Sequence, residues 1–277
     1  MTANTAGSRR IADAFAAARG QGRIAFVSYI VAGYPDVETS ERVAIAALDA
    51  GSDVLEIGLP YSDPLADGVT VQHASSVALG HGQTLDASID LVERVAKQRP
   101  NKPLLVMGYV NQFLGPRGAD KIAHRLADAG ASGAIVPDLT PDEGEPLERA
   151  FASAGLALVY LVAPTSTSER VEMIGGRAGG FVYCVALTGV TGARRTGPTN
   201  AMALVKRVKT ATRLPVAVGF GVSRPEHVRA VARTGADGVV VGSALIDALG
   251  TDGRDLDSFS ALCAALAHAT ARASAAA

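Results

Sequence analysis

Three carboxylates crowd the stretch LEIGLPYSDPLADG (55–68): Glu56 sits inside an apolar run, and Asp63 and Asp67 follow among prolines and glycines. Side chains alternate faces along a strand, so in DVLEIGL (53–59) Val54, Glu56 and Gly58 share one face and Leu55, Ile57 and Leu59 the other. The wholly apolar set suits packing under helices, which turns Glu56 to the opposite side. A carboxyl group removed from water has its pKa raised, and this equips it to give and take protons near neutral pH. A structural ion pair with Lys or Arg is the alternative, although no basic residue stands at an inner position of the neighbouring strands. Asp63 and Asp67 fall in the connection after this strand. Connections carry function on many scaffolds, while an Asp before the helical pattern GVTVQHASSVAL (68–79) also has the look of a helix N-cap.

A second pattern is rich in glycine. GFGVS (219–223) and GS (242–243) each end an apolar run and precede a helical pattern. Backbone N–H groups there can approach an anion closely, and the helix dipole favours negative charge. Gly221, Gly242 and Ser243 therefore stand where a phosphate would bind; a tight turn is the plain alternative for either cluster alone. LTGVTGARRTG (187–197) holds three glycines and few apolar anchors. It reads as a lid able to close over a ligand and exclude water, or as a surface loop without such a task.

These residues need a frame. Apolar, β-branched runs of strand length occur at 24–32, 53–59, 102–110, 133–137, 156–162, 180–187, 214–221 and 237–243, with helical patterns between them. DAGSD, DAGASGA, SAGLA and TGADG each close a helix with glycine and lead directly into the next strand, as in parallel βαβ units. Eight such units within 277 residues predict an α/β fold, a closed (β/α)₈ TIM barrel with an extra N-terminal helix. The chain reads as one domain over 1–277: a leading helix at about 8–22, the barrel over 23–272 closing on a helix at 256–272, and a tail from Ala269 that frays, wholly so over 273–277. At the C-terminal ends of barrel strands Glu56 and the two glycine clusters would share one face, where enzymes of this architecture hold their active sites.

Composition narrows the chemistry. A formal net charge of −1 leaves no basic stripe for phosphate backbones, which argues against nucleic acid and for a small-molecule partner. The only cysteines, Cys184 and Cys263, lack the spacing of metal or redox motifs, so a reducing, cytoplasmic setting is expected. Residues 1–22 do not read as a signal peptide, and no apolar run is long enough to predict a membrane span. His73, His81, His124, His227 and His268 are scattered, mostly on expected helix surfaces, so no metal site is expected.

The chain resembles the tryptophan synthase alpha chains in YIVAGYP (29–35), LEIGLPYSDPLADG (55–68), MGYVN (107–111), VYCVALTGVTGAR (182–194), VGFGVS (218–223) and VVGSALI (240–246). The resemblance implies a carbon–carbon lyase subunit that cleaves indole-3-glycerol phosphate by retro-aldol chemistry to indole and glyceraldehyde 3-phosphate. Indole would pass to a beta chain for L-tryptophan synthesis, within an alpha2beta2 heterotetramer. It further implies no cofactor in this chain, pyridoxal phosphate belonging to the beta chain. Glu56 and Asp67 match the catalytic acid/base pair, Tyr183 the supporting tyrosine of strand 6, and Thr191 the lid threonine that meets the aspartate on closure. Gly192, Gly221, Gly242 and Ser243 match phosphate-binding positions, Tyr29 and Tyr109 line the indole pocket, and Asp63 and Asn111 face the beta chain.

Three positions depart from that pattern. Gln112 stands where proline frequently follows the asparagine, Thr140 in DLTPDE (138–143) replaces a usual proline, and Ala186 replaces a small polar residue. The first two bear on the partner-facing surface and the third on the lid. Other phosphate-binding barrels, such as indole-glycerol-phosphate synthase or a ribosyl-phosphate isomerase, call for an essential lysine or a different acid pair. The absence of lysine at inward strand positions argues against the synthase. A silent barrel that binds phosphate only to regulate a partner would have no need of Glu56 and Asp67.

Overall fold

The computed structural model describes residues 4–185, 198–219 and 221–272. Eight parallel strands close into a barrel in sequence order: β1 (Ala25–Val31), β2 (Val54–Gly58), β3 (Leu104–Met107), β4 (Gly133–Ile135), β5 (Ala157–Val162), β6 (Val182–Val185), β7 (Val216–Gly219) and β8 (Gly238–Val241). All eight lie within the expected runs. Around them stand α1 (Ala6–Gly20), α2 (Val37–Asp49), α3 (Val69–Gly80), α4 (Leu85–Gln98), α5 (Val110–Leu114), α6 (Ala119–Asp128), α7 (Glu145–Ser153), α8 (Ser168–Arg177), α9 (Pro198–Ala211), α10 (Pro225–Arg233), α11 (Ser243–Asp247) and α12 (Leu256–His268). Side-chain caps fix several of their starts. Asp36, Thr84, Thr167 and Asp255 accept the orphan N–H groups at the beginnings of α2, α4, α8 and α12.

Strand alternation separates two apolar layers. Phe26, Leu55, Ile57, Leu104, Val106, Val216 and Val218 face the helices in the larger core. Ala25, Val27, Val54, Leu105, Ile135, Val159 and Ala217 fill the barrel interior. Ile11 and Phe15 of α1 join that interior cluster and close the N-terminal end of the barrel. The Phe15 ring packs 5.4 Å from Phe181, and a Cβ at Gly238 would lie 2.7 Å from Phe15. Each such buried side chain contributes about 1.5–3 kcal/mol. α1 thus covers the N-terminal end of the barrel, which leaves the C-terminal ends of the strands as the side where this architecture holds its ligands.

Three features differ from the sequence reading. The leading helix starts at Ala6 because Thr5 caps it, accepting the Ser8 N–H. A short helix, α5, occupies residues that extend the apolar run after β3. The closing helix ends at His268 rather than reaching 272, and the residues after it are not fraying: Ala271 pairs antiparallel with Arg23. The Thr270 carbonyl accepts the Ile24 N–H, and the Arg272 N–H donates to the Gly22 carbonyl. This tail satisfies backbone groups at the entry to β1 that would otherwise lack partners. The frayed segment expected at 273–277 lies outside the described residues. Among the described residues no helix is long and apolar enough to cross a membrane.

Candidate active site

β2 turns Glu56 into the barrel, in register with Tyr29 of β1 and Leu105 of β3. The side chain is 1 % exposed. Its Oε2 finds no hydrogen-bond partner, and no ion pair includes it, among the described residues, so none of these supplies the structural ion pair. Burial, assisted by the negative charge of Asp67, raises its pKa to about 8. A carboxyl group shifted in this direction keeps its proton near neutral pH and can deliver it to a substrate.

Tyr29 and Tyr183 are both packed beside it. Burial pushes both phenols well above their ordinary pKa; Asp67 and then Glu56 add to this at Tyr29, and Glu56 and then Asp67 at Tyr183. Both keep their protons and can donate hydrogen bonds. Glycines make room for them: a Cβ at Gly58 would lie 2.1 Å from the Tyr29 hydroxyl, and one at Gly219 2.3 Å from that of Tyr183. Glycine at these inward positions is thus a packing requirement imposed from the neighbouring strand.

Asp67 approaches from the β2–α3 connection. The N-cap of α3 is Gly68, with no side-chain cap, so Asp67 is not the helix cap its position suggested. Its Oδ2 instead accepts the Tyr109 hydroxyl at 3.0 Å, and that hydroxyl accepts the Ala66 N–H at 3.0 Å. Burial raises the Asp67 pKa and the Tyr109 bond opposes the rise. The two carboxyl groups thus sit in different surroundings, Glu56 buried with its Oε2 unpartnered among the described residues, Asp67 half-buried and hydrogen-bonded.

Three of the expected phosphate positions, Gly221, Gly242 and Ser243, follow the paired strands β7 and β8. Gly242 is the N-cap of α11 without a side-chain cap, and a Cβ there would approach Tyr29 to 3.2 Å. Ser243 opens the helix and is exposed. Gly221 adopts φ +72°, a conformation that glycine takes without strain. Thr191, Gly192, Ala186 and the lid reading of 187–197 lie outside the described residues.

On the outer side of the Asp67 loop, Asp63 is exposed and accepts the Ser62 hydroxyl. Asn111 donates to the Tyr61 hydroxyl at 3.0 Å, and Tyr61 stacks on Tyr109 with ring centroids 5.0 Å apart. Asp63, Asn111 and the two tyrosines line a cleft of about 510 Å³ with Leu65, Ala66, Pro137 and Asp138. Leu65 is 94 % exposed, a large apolar side chain standing in solvent on the same loop. Of the departures, Thr140 makes only a local bond to Glu143, whereas Gln112 bonds the Tyr109 backbone and the Pro60 carbonyl. The sequence reading gave no role to Tyr61, Gly58 or Gly219. The spacing of Gln112 three residues after Tyr109, a capping-box interval, is the one local signal for its contact. Among the described residues no group of three His, Cys, Asp or Glu could hold a metal ion.

The family profile described as tryptophan synthase alpha chain matches residues 15–274. The chain belongs to the tryptophan synthase alpha chain family. It is 45 % identical over 240 residues to the tryptophan synthase alpha chain of Roseiflexus sp. (strain RS-1), covering 87 % of this chain and 91 % of that one. To the alpha chain of Gloeobacter violaceus it is 46 % identical over 242 residues, 87 % of each. A solved structure of Mycobacterium tuberculosis tryptophan synthase superimposes with a TM-score of 0.86 at 38 % identity, covering 95 % of this chain and 99 % of that chain. As an alpha chain, the molecule is a lyase subunit of tryptophan synthase in tryptophan biosynthesis and has a beta chain as its partner.

Proposed function

We propose that Glu56 and Asp67 perform retro-aldol cleavage of indole-3-glycerol phosphate at the C-terminal mouth of the barrel. The observation that carries this reading is the buried, unpartnered Glu56 carboxyl beside an Asp67 held by Tyr109. The bond that breaks joins indole C3 to the hydroxyl-bearing carbon of the glycerol chain, and the intact ring is a poor leaving group. Glu56 delivers its proton to C3, which converts the ring to an indolenine with positive charge on nitrogen. Asp67 accepts the indole N–H hydrogen bond and stabilises that charge where it develops. The glycerol hydroxyl then gives its proton to the Glu56 carboxylate as the carbon–carbon bond breaks. The bonding electrons return to the ring, the departing carbon becomes the aldehyde of glyceraldehyde 3-phosphate, and Glu56 is protonated again. Acid and electrostatic roles fall to two carboxyl groups because their surroundings differ.

Tyr29 and Tyr109 line the indole pocket, with Tyr183 of β6 as the supporting donor. Gly192, Gly221, Gly242 and Ser243 receive the phosphate, and Thr191 of the lid meets Asp67 as the site closes. Asp63 and Asn111, beside the exposed Leu65, face the beta chain in an alpha2beta2 assembly in the cytoplasm. Pyridoxal phosphate serves the beta chain's reaction, while both proton transfers of the cleavage fall to the Glu56 side chain. Indole release from indole-3-glycerol phosphate by the purified chain, with and without a beta chain, tests the reading. Release stimulated by the beta chain supports it; no release under either condition refutes it.

A further inference from the structure

Tyr109 is held at both ends. Its hydroxyl lies on Asp67 and on the Ala66 N–H, while its backbone N–H donates to Gln112 Oε1 at 2.9 Å. Gln112 Nε2 then donates to the Pro60 carbonyl at 3.1 Å. Pro60 and Asp67 bracket the connection after β2, so Gln112 grips that loop at its root and Tyr109 grips it at its tip. Gly108 leaves space for the tie, since a Cβ there would lie 2.8 Å from Gln112 Oε1. A proline at 112 could form neither side-chain bond.

We propose that Gln112 is a positioning residue for catalysis: by spanning the Tyr109 amide and the Pro60 carbonyl, it keeps the Tyr109 hydroxyl on the Asp67 carboxylate. The inference rests on the proposed role of Asp67. One bond of Gln112 fixes the start of α5, which carries the ring, and the other ties it to the loop that carries the carboxylate. A displacement on the order of 1 Å at a reacting centre costs about a hundredfold in rate at worst, and a single lost hydrogen bond costs less. The effect belongs in kcat, because Asp67 meets charge that exists only once C3 is protonated.

The test uses the chain saturated with its beta chain and measures indole release from indole-3-glycerol phosphate for Gln112→Met, Gln112→Glu, Tyr109→Phe, the Gln112→Met/Tyr109→Phe double variant and Asp67→Asn. Gln112→Met removes both bonds at similar volume and should lower kcat roughly three- to tenfold while KM moves less than about twofold. Gln112→Glu keeps the acceptor for the Tyr109 N–H but loses the donor to Pro60, and should recover part of the rate. In the Tyr109→Phe background, which lacks the hydroxyl, Gln112→Met should cost less than about twofold more, because the two residues act through one contact. Thermal melts identify a variant that fails to fold; if Gln112→Met does so, Gln112→Glu carries the same comparison. An unchanged kcat in the Gln112 variants while Asp67→Asn is inactive overturns the inference and leaves the role of Asp67 standing. Multiplicative losses in the double variant also overturn it. Full activity of Asp67→Asn removes the role of Asp67 and the inference with it.

Discussion

Replacing Glu56 by glutamine should make the protein more stable at alkaline pH. The carboxyl titrates at about 8 in the folded chain against 4.5 for its ordinary value, because burial penalises the charged form. Between these two values the folded state binds more protons than the unfolded state, so stability falls as pH rises. This contribution is fully present below about pH 4.5 and is gone above about pH 8. At about 1.36 kcal/mol per pKa unit the full span amounts to roughly 5 kcal/mol. The Glu56→Gln side chain fills the same volume and carries no charge at any pH, so the variant lacks this slope, and titrating groups that do not interact with Glu56 cancel in the comparison. Urea unfolding of parent and Glu56→Gln at pH 5, 7 and 9 should show the variant gaining several kcal/mol relative to the parent between the first and last. A difference that stays constant within about 1 kcal/mol would refute the reasoning, since it would mean that Glu56 ionises as freely in the folded chain as in water.

Asp67→Asn should lose most cleavage activity and keep its melting temperature, because the amide carries no charge to stabilise the indolenine and the residue caps no helix; a lowered melting temperature with full turnover would contradict this. Gly242→Asp should weaken glycerol 3-phosphate binding, measured by isothermal titration, far more than it lowers the melting temperature, because a carboxylate at the start of α11 would oppose the phosphate. Unchanged affinity would move the anion site elsewhere. Asp63→Ala should leave the activity of the isolated chain nearly unchanged and reduce the stimulation gained on adding the beta chain. Equal stimulation of variant and parent across a titration would leave Asp63 as a loop carboxylate bonded only to Ser62.

The barrel was legible because its strands are continuous apolar runs and its helices end on glycine, both local signals. Glu56 was legible for the same reason: alternation along DVLEIGL fixes which side it faces. The surroundings of that carboxyl were not, because they depend on register between strands. Gly58 and Gly219 are empty only in relation to Tyr29 and Tyr183, each on a neighbouring strand. Asp67 shows the limit in another way. Its neighbours in sequence are consistent with a helix cap, and only the distant Tyr109 turns the side chain to another task. The residues after α12 likewise looked like fraying helix, since nothing local reveals that Arg23 lies beside Ala271. Gln112 stood out only as a departure, and its meaning came from the loop it reaches.

Indole release by Glu56→Gln, assayed with saturating beta chain and indole-3-glycerol phosphate, tests the assignment of the buried acid most directly. General acid/base groups contribute about 10²- to 10⁴-fold, so release should fall by at least about a hundredfold while the variant binds glycerol 3-phosphate and the beta chain as the parent does. Release within a few-fold of the parent would show that the proton reaches C3 from another group.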